Sequence, residues 1–259
     1  MLLALDIGNT NISVGVFDSD GGPDHEPTAT WRIATDRDRM PDEYGLLLSN
    51  LLSLKGFTVG DISSAAICSG VPPLTPVFQE VCTGPFGVDP MVVGAGVKTG
   101  VRILYDSPRD VGADRIADAA AALALYGGPA IVVDFGTATV FDAISMDAEY
   151  VGGAIAPGIS VAADSLYHST SQLRRVELDR PSSAIGRNTV HAIQSGLVFG
   201  YTDMVKGMVA RFDEELGGGC KVIATGGLSD FFSKEAGIFD VVLPNLTLSG
   251  LQIIHALNS

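Results

Sequence analysis

The chain has 259 residues, of which 46% are apolar and 18% are charged, so we expect a substantial hydrophobic core, and the composition argues against disorder. The 16 Lys and Arg residues against 30 Asp and Glu give a formal net charge of −14, which argues against binding to nucleic acid because the phosphate backbone is also negative. The three cysteines form no C-x-x-C pair, which predicts reduced thiols and a cytoplasmic protein. No stretch has the pattern of a signal peptide or a membrane span, so we expect no membrane partner.

A short motif occurs once in each half of the chain. Asp6 begins the run Asp-Ile-Gly-Asn-Thr, and Asp134 begins the run Asp-Phe-Gly-Thr-Ala. Residues typical of β-strands flank each copy, and the glycine favours a tight turn between two strands. The repeat predicts two related domains, which we place at residues 1–116 and 117–259.

Strands and helices are predicted to alternate around these motifs. The apolar periodicity predicts helices at residues 42–54, 75–81, 114–126 and 249–257, and a long helix within 189–216. Short strands are predicted at residues 65–68, 91–93, 150–155 and 221–225. This mixture in both halves predicts an α/β fold.

The first copy of the motif has the composition of a phosphate-binding turn. Gly8 permits a tight bend, and the three residues that follow it offer short polar side chains beside exposed backbone amides. Asp6, at the end of a predicted strand, is suited to a hydrated Mg²⁺ ion, which takes few carboxylate ligands. An ordinary Asx-turn hairpin would give the same local pattern. The second copy favours two hairpins that hold one nucleotide.

Together with the run Ala-Thr-Gly-Gly at residues 224–227, the paired turns resemble those of the acetate and sugar kinase, heat-shock ATPase and actin superfamily. Within it, the chain resembles the type III pantothenate kinases over almost its whole length. The segments that carry this resemblance are residues 6–11, 94–100, 112–115, 134–139 and 152–158, together with Tyr105 and Thr189. The resemblance implies an α/β fold of two similar actin-like (ribonuclease H-like) domains with the nucleotide site between them.

The resemblance also implies the reaction. A kinase of this family transfers the γ-phosphate of ATP to the hydroxyl of pantothenate, which gives 4′-phosphopantothenate in the first step of coenzyme A biosynthesis. It implies Mg²⁺ and a monovalent cation, K⁺ or NH₄⁺, as cofactors, and a homodimer as the assembly.

The resemblance further implies roles for individual residues. Asp114 would accept the proton of the pantothenate hydroxyl, Asp134 would bind the monovalent cation, and Asp6 would hold Mg²⁺ directly or through water. The ATP phosphates would contact Asp6, Ile7, Gly8, Asn9, Thr10, Asn11, Ile12, Ser13 and Thr137. Pantothenate would contact Tyr105, Gly112, Ala113, Asp114, Arg115 and Thr189, the last from its own or the partner subunit.

Structural readings of two of these residues stay open. An aspartate is a weak base, but the loose transition state of phosphoryl transfer lets a carboxylate orient the hydroxyl and take its proton late. Asp114 would also suit the N-terminus of a helix, where the dipole favours a negative charge. Arg115 fits either an anionic group of the substrate or a structural ion pair.

Two other functions share these features. One is a non-catalytic relative that acts as a transcriptional accessory factor, and the other is a kinase for a different small hydroxyl compound. The presence of Asp6, Asp134 and the segment 112–115 favours the enzyme. Residues 32–39 alternate basic and acidic side chains; we interpret them as a solvated loop, with an approach to the nucleotide as the alternative.

Overall fold

The computed structural model describes residues 1–18, 22 and 26–259. Its strands and helices alternate along the chain, as the sequence predicts. In chain order they are β1 (Leu2–Ile7), β2 (Asn11–Phe17), β3 (Ala29–Ala34), α1 (Pro41–Leu54), β4 (Ser64–Ser69), α2 (Thr75–Thr83), β5 (Pro90–Val92), β6 (Arg102–Ile103), α3 (Ala113–Tyr126), β7 (Ala130–Phe135), β8 (Ala138–Ile144), β9 (Glu149–Pro157), α4 (Ile159–Ser169), α5 (Thr189–Ser195), α6 (Tyr201–Glu215), β10 (Lys221–Thr225), α7 (Ser229–Ala236), β11 (Val241–Val242) and α8 (Leu246–Ala256).

These elements form two compact units. The first unit comprises residues 1–127, 148–150 and 245–259, and the second comprises residues 128–147 and 151–244. The units are defined by packing, whereas the predicted boundary between residues 116 and 117 divides the chain by its repeated motif. That boundary therefore stays a prediction.

The first unit is built on a sheet with the strand order β3-β2-β1-β4-β5. Strand β1 alternates between two buried faces, because successive side chains of a strand point to opposite sides. Leu3, Leu5 and Ile7 pack with α1 and α2, whereas Leu2 and Ala4 pack with α3 and α8. Asp6 continues the second set, so its carboxyl lies on the face of the sheet that α3 covers.

The second unit repeats this arrangement around β7. Its strands have the order β11-β10-β7-β8-β9. Strand β6 follows β9 in this order, but β6 and its partners Glu149 and Tyr150 at the start of β9 belong to the first unit. Strand β7 pairs with β8 in antiparallel and with β10 in parallel, just as β1 pairs with β2 and β4. On one face of β7, Ile131, Val133 and Phe135 pack in one core with residues of α6 and α7. The predicted pair of strand–turn–strand repeats is confirmed.

The two hairpins differ in the length of their turns. Three residues separate β1 from β2, and Gly8 N donates to Asn11 O at 3.0 Å. Two residues separate β7 from β8, and Gly136 N donates to Ala138 O at 3.0 Å. Asp6 therefore lies opposite Ser13 of β2, whereas Asp134 lies opposite Val140 of β8.

Some elements were not predicted from the sequence. These are β3, β6, α4, α7 and β11. Residues 32–34 belong to β3, so our interpretation of residues 32–39 as a loop is wrong for those three and correct for the rest. Strand β3 lies at the edge of its sheet and alternates between partly buried and exposed positions, so its apolar signal in the sequence is weak. The predicted long helix within 189–216 is α5 and α6 joined by a π-helical turn at Gly196–Gly200. Within the described part of the chain, the helices lack the length and apolar character that crossing a membrane requires.

Helix α8 packs against α3 at very short range. A Cβ atom at Gly250 of α8 would overlap the backbone of Ala117 in α3. One turn earlier, Thr247 Oγ1 donates to Asp118 Oδ1 at 2.7 Å. These contacts fix the position of α3, the helix that carries Asp114 in its first turn.

We expect Gly250→Ala to lower the free energy of unfolding by about 1–3 kcal/mol, because the added methyl group forces α3 and α8 apart. Gly207→Ala in α6 is the matched control, since a Cβ there meets open space among the described residues. That control should be neutral or stabilising by up to about 1 kcal/mol, because alanine favours a helix over glycine. Urea unfolding followed by circular dichroism measures both, and equal midpoints for the two variants would contradict the close packing.

Candidate functional site

The turn after β1 is an exposed loop held in one conformation by a neighbouring segment. Asn9, Thr10 and Asn11 are all exposed. From the segment after β3, Thr35 Oγ1 donates to Gly8 O at 2.6 Å, and the Thr35 amide donates to Thr10 O at 3.0 Å. The turn therefore presents its polar groups to solvent from a fixed backbone.

Asp6 stands at the centre of a polar row that crosses the sheet. Parallel pairing places it beside Cys68 of β4, and antiparallel pairing places it beside Ser13 of β2, which in turn faces Arg32 of β3. Directly opposed residues share a face, so these side chains all lie on the α3 side of the sheet. The Cys68 thiol donates a hydrogen bond to Asp6 Oδ1 at 3.3 Å.

Burial, followed by the nearby charge of Asp114, raises the pKa of Asp6 to about 7. The hydrogen bond from Cys68 and the positive charge of Arg32 act in the opposite direction, because both favour the ionised carboxylate. The pKa of the Cys68 thiol is itself raised well above its usual value by burial and by the charges of Asp6 and Asp114. Asp6 and Asp114 therefore interact through their charges within the first unit.

Asp114 lies in the first turn of α3. Gly112 is the N-cap residue of this helix, and the Asp114 carboxylate folds back over it and accepts the amide of Arg115 at 2.9 Å. A Cβ atom at position 112 would overlap Asp114 Oδ1. Glycine at this position therefore allows the observed orientation of the carboxylate.

An aromatic and cationic cluster lies in the same unit. The guanidinium of Arg115 lies 5.6 Å from the centre of the Tyr150 ring, and the Tyr105 ring lies 6.2 Å from that ring. Arg115 is buried, whereas Tyr105 is partly exposed. Tyr150 thus connects two of the predicted substrate residues, Tyr105 and Arg115.

In the second unit, glycines surround the carboxylate of Asp134. A Cβ atom at Gly226, which has a φ of +87°, would overlap Asp134 Oδ1, and one at Gly136 would lie 3.4 Å from Oδ2. A Cβ atom at Gly158 would overlap the carbonyl oxygens of Gly136 and Thr137. Glycine at positions 136, 158 and 226 therefore lets the backbone lie close to the Asp134 carboxylate and to these carbonyl oxygens.

The remaining predicted residue, Thr189, is exposed in the second unit. It is the first residue of α5, whose N-cap residue Asn188 accepts the amide of His191 at 2.9 Å. The structure thus places Asp6, Tyr105 and residues 112–115 in the first unit, and Asp134, Thr137 and Thr189 in the second.

Two neighbours of these groups, Cys68 and Tyr150, were missed by the sequence reasoning, because they are strand residues that carry no motif of their own. Arg32 belongs to the charged segment 32–39, for which an approach to the nucleotide was the stated alternative. Arg37, in the segment interpreted as a loop, donates from Nη2 to Asn9 Oδ1 at 2.9 Å. The alternation of arginine and aspartate in that segment was the available signal.

The chain is similar in sequence to one kinase family. A sequence model of the type III pantothenate kinases matches residues 2–211. A type III pantothenate kinase from Roseiflexus sp. (strain RS-1) is 49% identical over 258 residues, covering 100% of this chain and 99% of the relative. One from Moorella thermoacetica is 49% identical over 259 residues, covering 100% of both.

Solved structures resemble the fold at low sequence identity. A conserved Campylobacter jejuni protein, provisionally described as a Baf family transcriptional activator, has a TM-score of 0.62 at 19% identity and covers 99% of this chain and 98% of its own. The inorganic polyphosphate/ATP-glucomannokinase from Arthrobacter sp. strain KM has a TM-score of 0.52 at 14% identity, with coverages of 100% and 99%. Likenesses of this kind confirm the predicted fold class, an α/β fold of two actin-like, ribonuclease H-like domains.

The opposition of Asp6 and Asp114 predicts a measurable titration. We expect the Asp6 carboxyl to titrate near pH 7 in the ligand-free protein, and Asp114→Asn to lower that pKa because the variant removes a repelling charge. Burial remains in the variant, so the pKa should stay above the usual 3.8. Carbon-13 NMR of the carboxyl groups measures both values.

The control is Asp110→Asn, which removes an exposed carboxylate four residues earlier. It should leave the pKa of Asp6 unchanged. An Asp6 pKa that responds equally to both substitutions would contradict a specific interaction with Asp114.

Proposed function

The chain belongs to the type III pantothenate kinase family, and we propose that its Asp6 turn holds the ATP phosphates while Asp114 accepts the proton of the pantothenate hydroxyl. The protein is accordingly an ATP-dependent kinase of pantothenate, which catalyses the first step of coenzyme A biosynthesis. The observation that carries the assignment of roles is geometric: the face of the sheet that holds Asp6 is covered by α3, the helix that carries Asp114 in its first turn. It puts a candidate proton acceptor beside a candidate phosphate site.

The carboxylate of Asp114 is oriented so that it can accept a proton. Its backbone geometry is fixed by α3 and Gly112, and one carboxylate oxygen is engaged by the Arg115 amide. In a loose phosphoryl transfer, the hydroxyl attacks with little prior loss of its proton, so the base mainly orients the nucleophile. Asp114 would hold the pantothenate hydroxyl in line with the γ-phosphate and take the proton as the new P–O bond forms.

Asp6 has the chemistry of a Mg²⁺ ligand. Its carboxylate lies at a strand end next to the exposed polar turn, and the described residues contain no cluster of three His, Cys, Asp or Glu side chains that would enclose a metal ion. A cation held by Asp6 would complete its shell with water and phosphate oxygens, as Mg²⁺ commonly does. When bound, Mg²⁺ neutralises part of the negative charge of the phosphates. The positive ion would also favour the ionised form of Asp6.

Asp134 is proposed to bind the monovalent cation. The carboxylate and the neighbouring backbone carbonyls of residues 136 and 137 are hard oxygen donors, and the flanking glycines let the backbone bring them close together. Thr137, exposed in the turn between β7 and β8, is proposed to contact the ATP phosphates. Both roles match the family pattern at these positions.

Pantothenate is proposed to contact Tyr105, Thr189 and residues 112–115. Arg115 offers a permanent positive charge in a buried setting, where it would pair with the pantothenate carboxylate or the transferred phosphate. The Tyr150 ring beneath the guanidinium supports that position. Thr189 would act from its own or the partner subunit.

We also propose a homodimer. Apolar side chains that would be costly to leave in water are exposed on β9 and α4 of the second unit. They include Val151, Ile155, Val161, Leu166 and Tyr167, of which Ile155 is 66% exposed. A second copy of the chain would cover this surface. The cytoplasmic location stays a prediction.

The reaction itself is tested by ADP release from purified protein with Mg-ATP and K⁺, with and without pantothenate. Asp114→Asn should keep the fold and lower kcat by about 10²–10⁴, the usual contribution of a general base. Asp110→Asn, an exposed carboxylate nearby, should retain near-normal kcat. Near-normal turnover in Asp114→Asn would refute the role of Asp114.

The same assay separates the alternative functions. ADP release that does not depend on pantothenate would indicate a different acceptor. A folded protein that binds ATP without any turnover would indicate a non-catalytic relative.

Replacement of K⁺ by Na⁺ should lower kcat if Asp134 holds the monovalent cation. Asp134→Asn should lower kcat in K⁺ and remove the difference between the two ions, because the variant lacks the charged ligand. Initial rates at matched ionic strength provide the measurement. A variant that still distinguishes K⁺ from Na⁺ would place the cation elsewhere.

A further inference from the structure

The segment after β3 is the one charged motif of the sequence that the proposed function leaves unused. It contacts three consecutive residues of the Asp6 turn: Thr35 bonds to Gly8 and Thr10, and Arg37 bonds to Asn9. Arg37 Nη2 lies 2.9 Å from Asn9 Oδ1. The guanidinium therefore stands directly beside the polar groups proposed to bind phosphate.

The backbone around Arg37 is held in place by a buried anchor. The hydroxyl of Tyr44, which is fully buried in α1, accepts the Asp36 amide at 3.0 Å and donates to Asp36 O at 2.8 Å. The Asp38 amide donates to Asp36 Oδ1 at 3.1 Å. These hydrogen bonds hold the backbone on both sides of Arg37, and from that backbone its side chain reaches Asn9 of the turn.

The contact with Asn9 also fixes which groups remain available. A guanidinium has five N–H donors and no acceptor, so the Asn9 amide must direct its oxygen toward Arg37 and its NH₂ group elsewhere. The Arg37 side chain is exposed, so it can meet a ligand in solvent at the turn. The planar fork of arginine matches the geometry of two phosphate oxygens.

The negative charges around the turn favour a positively charged side chain at this place. ATP is a polyanion, Asp6 and Asp114 are acidic, and the chain carries a net charge of −14. The turn itself offers only neutral donors: backbone amides and the side chains of residues 9–11. A guanidinium at this place would offset the repulsion between the phosphates and the acidic groups.

We propose that Arg37 is a nucleotide-phosphate ligand, with its guanidinium in direct contact with the β-phosphate of ATP, which ADP shares, at the Asp6 turn. The proposal rests on the proposed function, since it assumes that the turn holds ATP. It adds a cationic residue, from outside the repeated motif, to that site.

The test compares Arg37→Gln with Arg39→Gln. Arg39 is the matched control, since it belongs to the same segment but its guanidinium lies 5.1 Å above the Tyr44 ring and 3.8 Å from Asp36. Arg37→Gln should raise the KM for ATP and the Kd for Mg-ADP about tenfold or more, with the KM for pantothenate changed less than twofold. Arg37→Lys should give a smaller loss, because it keeps the charge without the fork. Arg39→Gln should change each constant less than twofold.

A double-mutant cycle distinguishes contact with phosphate from support of the turn. If Arg37 touches the phosphates, Arg37→Gln should still weaken Mg-ADP binding severalfold in an Asn9→Ala background. If the effect disappears in that background, Arg37 acts only through Asn9 and the proposal is wrong. A KM for ATP in Arg37→Gln within twofold of the wild-type value would overturn it as well.

The wild-type protein separates this inference from the proposed function. If the wild-type protein binds Mg-ADP and turns over with pantothenate, and Arg37→Gln binds nucleotide normally, only the role of Arg37 is refuted. A wild-type protein that binds no nucleotide would refute both. Thermal unfolding of each variant verifies that the fold is retained.

Discussion

The carboxyl group of Asp6 is set on the helix-covered face of its sheet, where it meets the charge of Asp114. The placement follows from the alternation of β1: Leu2, Ala4 and Asp6 share one face, and that face is covered by α3 and α8. A partly buried carboxyl beside a like charge resists ionisation, which raises its pKa to about 7. Uncharged packing contacts, such as that of Gly250 against Ala117, hold α3 in place and so keep the two carboxyl groups close despite their repulsion.

That opposition explains why positive charge is expected around the turn. Two carboxylates would repel the phosphates of ATP, so nucleotide binding requires compensation from a metal ion, from side-chain cations or from both. Arg32 already acts on Asp6 from the edge strand β3, and Arg37 reaches the turn from the segment that follows. Both arginines come from a region whose alternation of charges suggested a solvated loop. A net negative chain can therefore carry a local site for an anion, because what matters is the charge within a few ångströms of the ligand.

The sequence was informative where a residue type is demanded by backbone geometry. The two Asp-x-Gly turns and the helices predicted at residues 42–54 and 114–126 follow from turn and helix chemistry, and the structure has them. It was uninformative where position depends on tertiary pairing. Cys68 and Tyr150 are ordinary strand residues in the sequence. Strand register brings Cys68 beside Asp6, and packing brings Tyr150 to Arg115. Strand β3 and helices α4 and α7 were missed because their local patterns are short or half-exposed, so tertiary packing decides their conformation.

The two hairpins share one strand–turn–strand design but differ in the groups that surround their aspartates. The three-residue turn after β1 carries polar side chains and leaves Asp6 beside Ser13, a thiol and an arginine. The two-residue turn after β7 shifts the register, so that Asp134 faces Val140 while glycines flank its carboxylate. Polar side-chain donors suit an anion, whereas a carboxylate near backbone carbonyl oxygens suits a cation. One residue of turn length, together with the neighbouring glycines, distinguishes the two proposed sites: polar side chains surround Asp6, where phosphates and Mg²⁺ are proposed to bind, whereas close backbone surrounds Asp134, where the monovalent cation is proposed to bind.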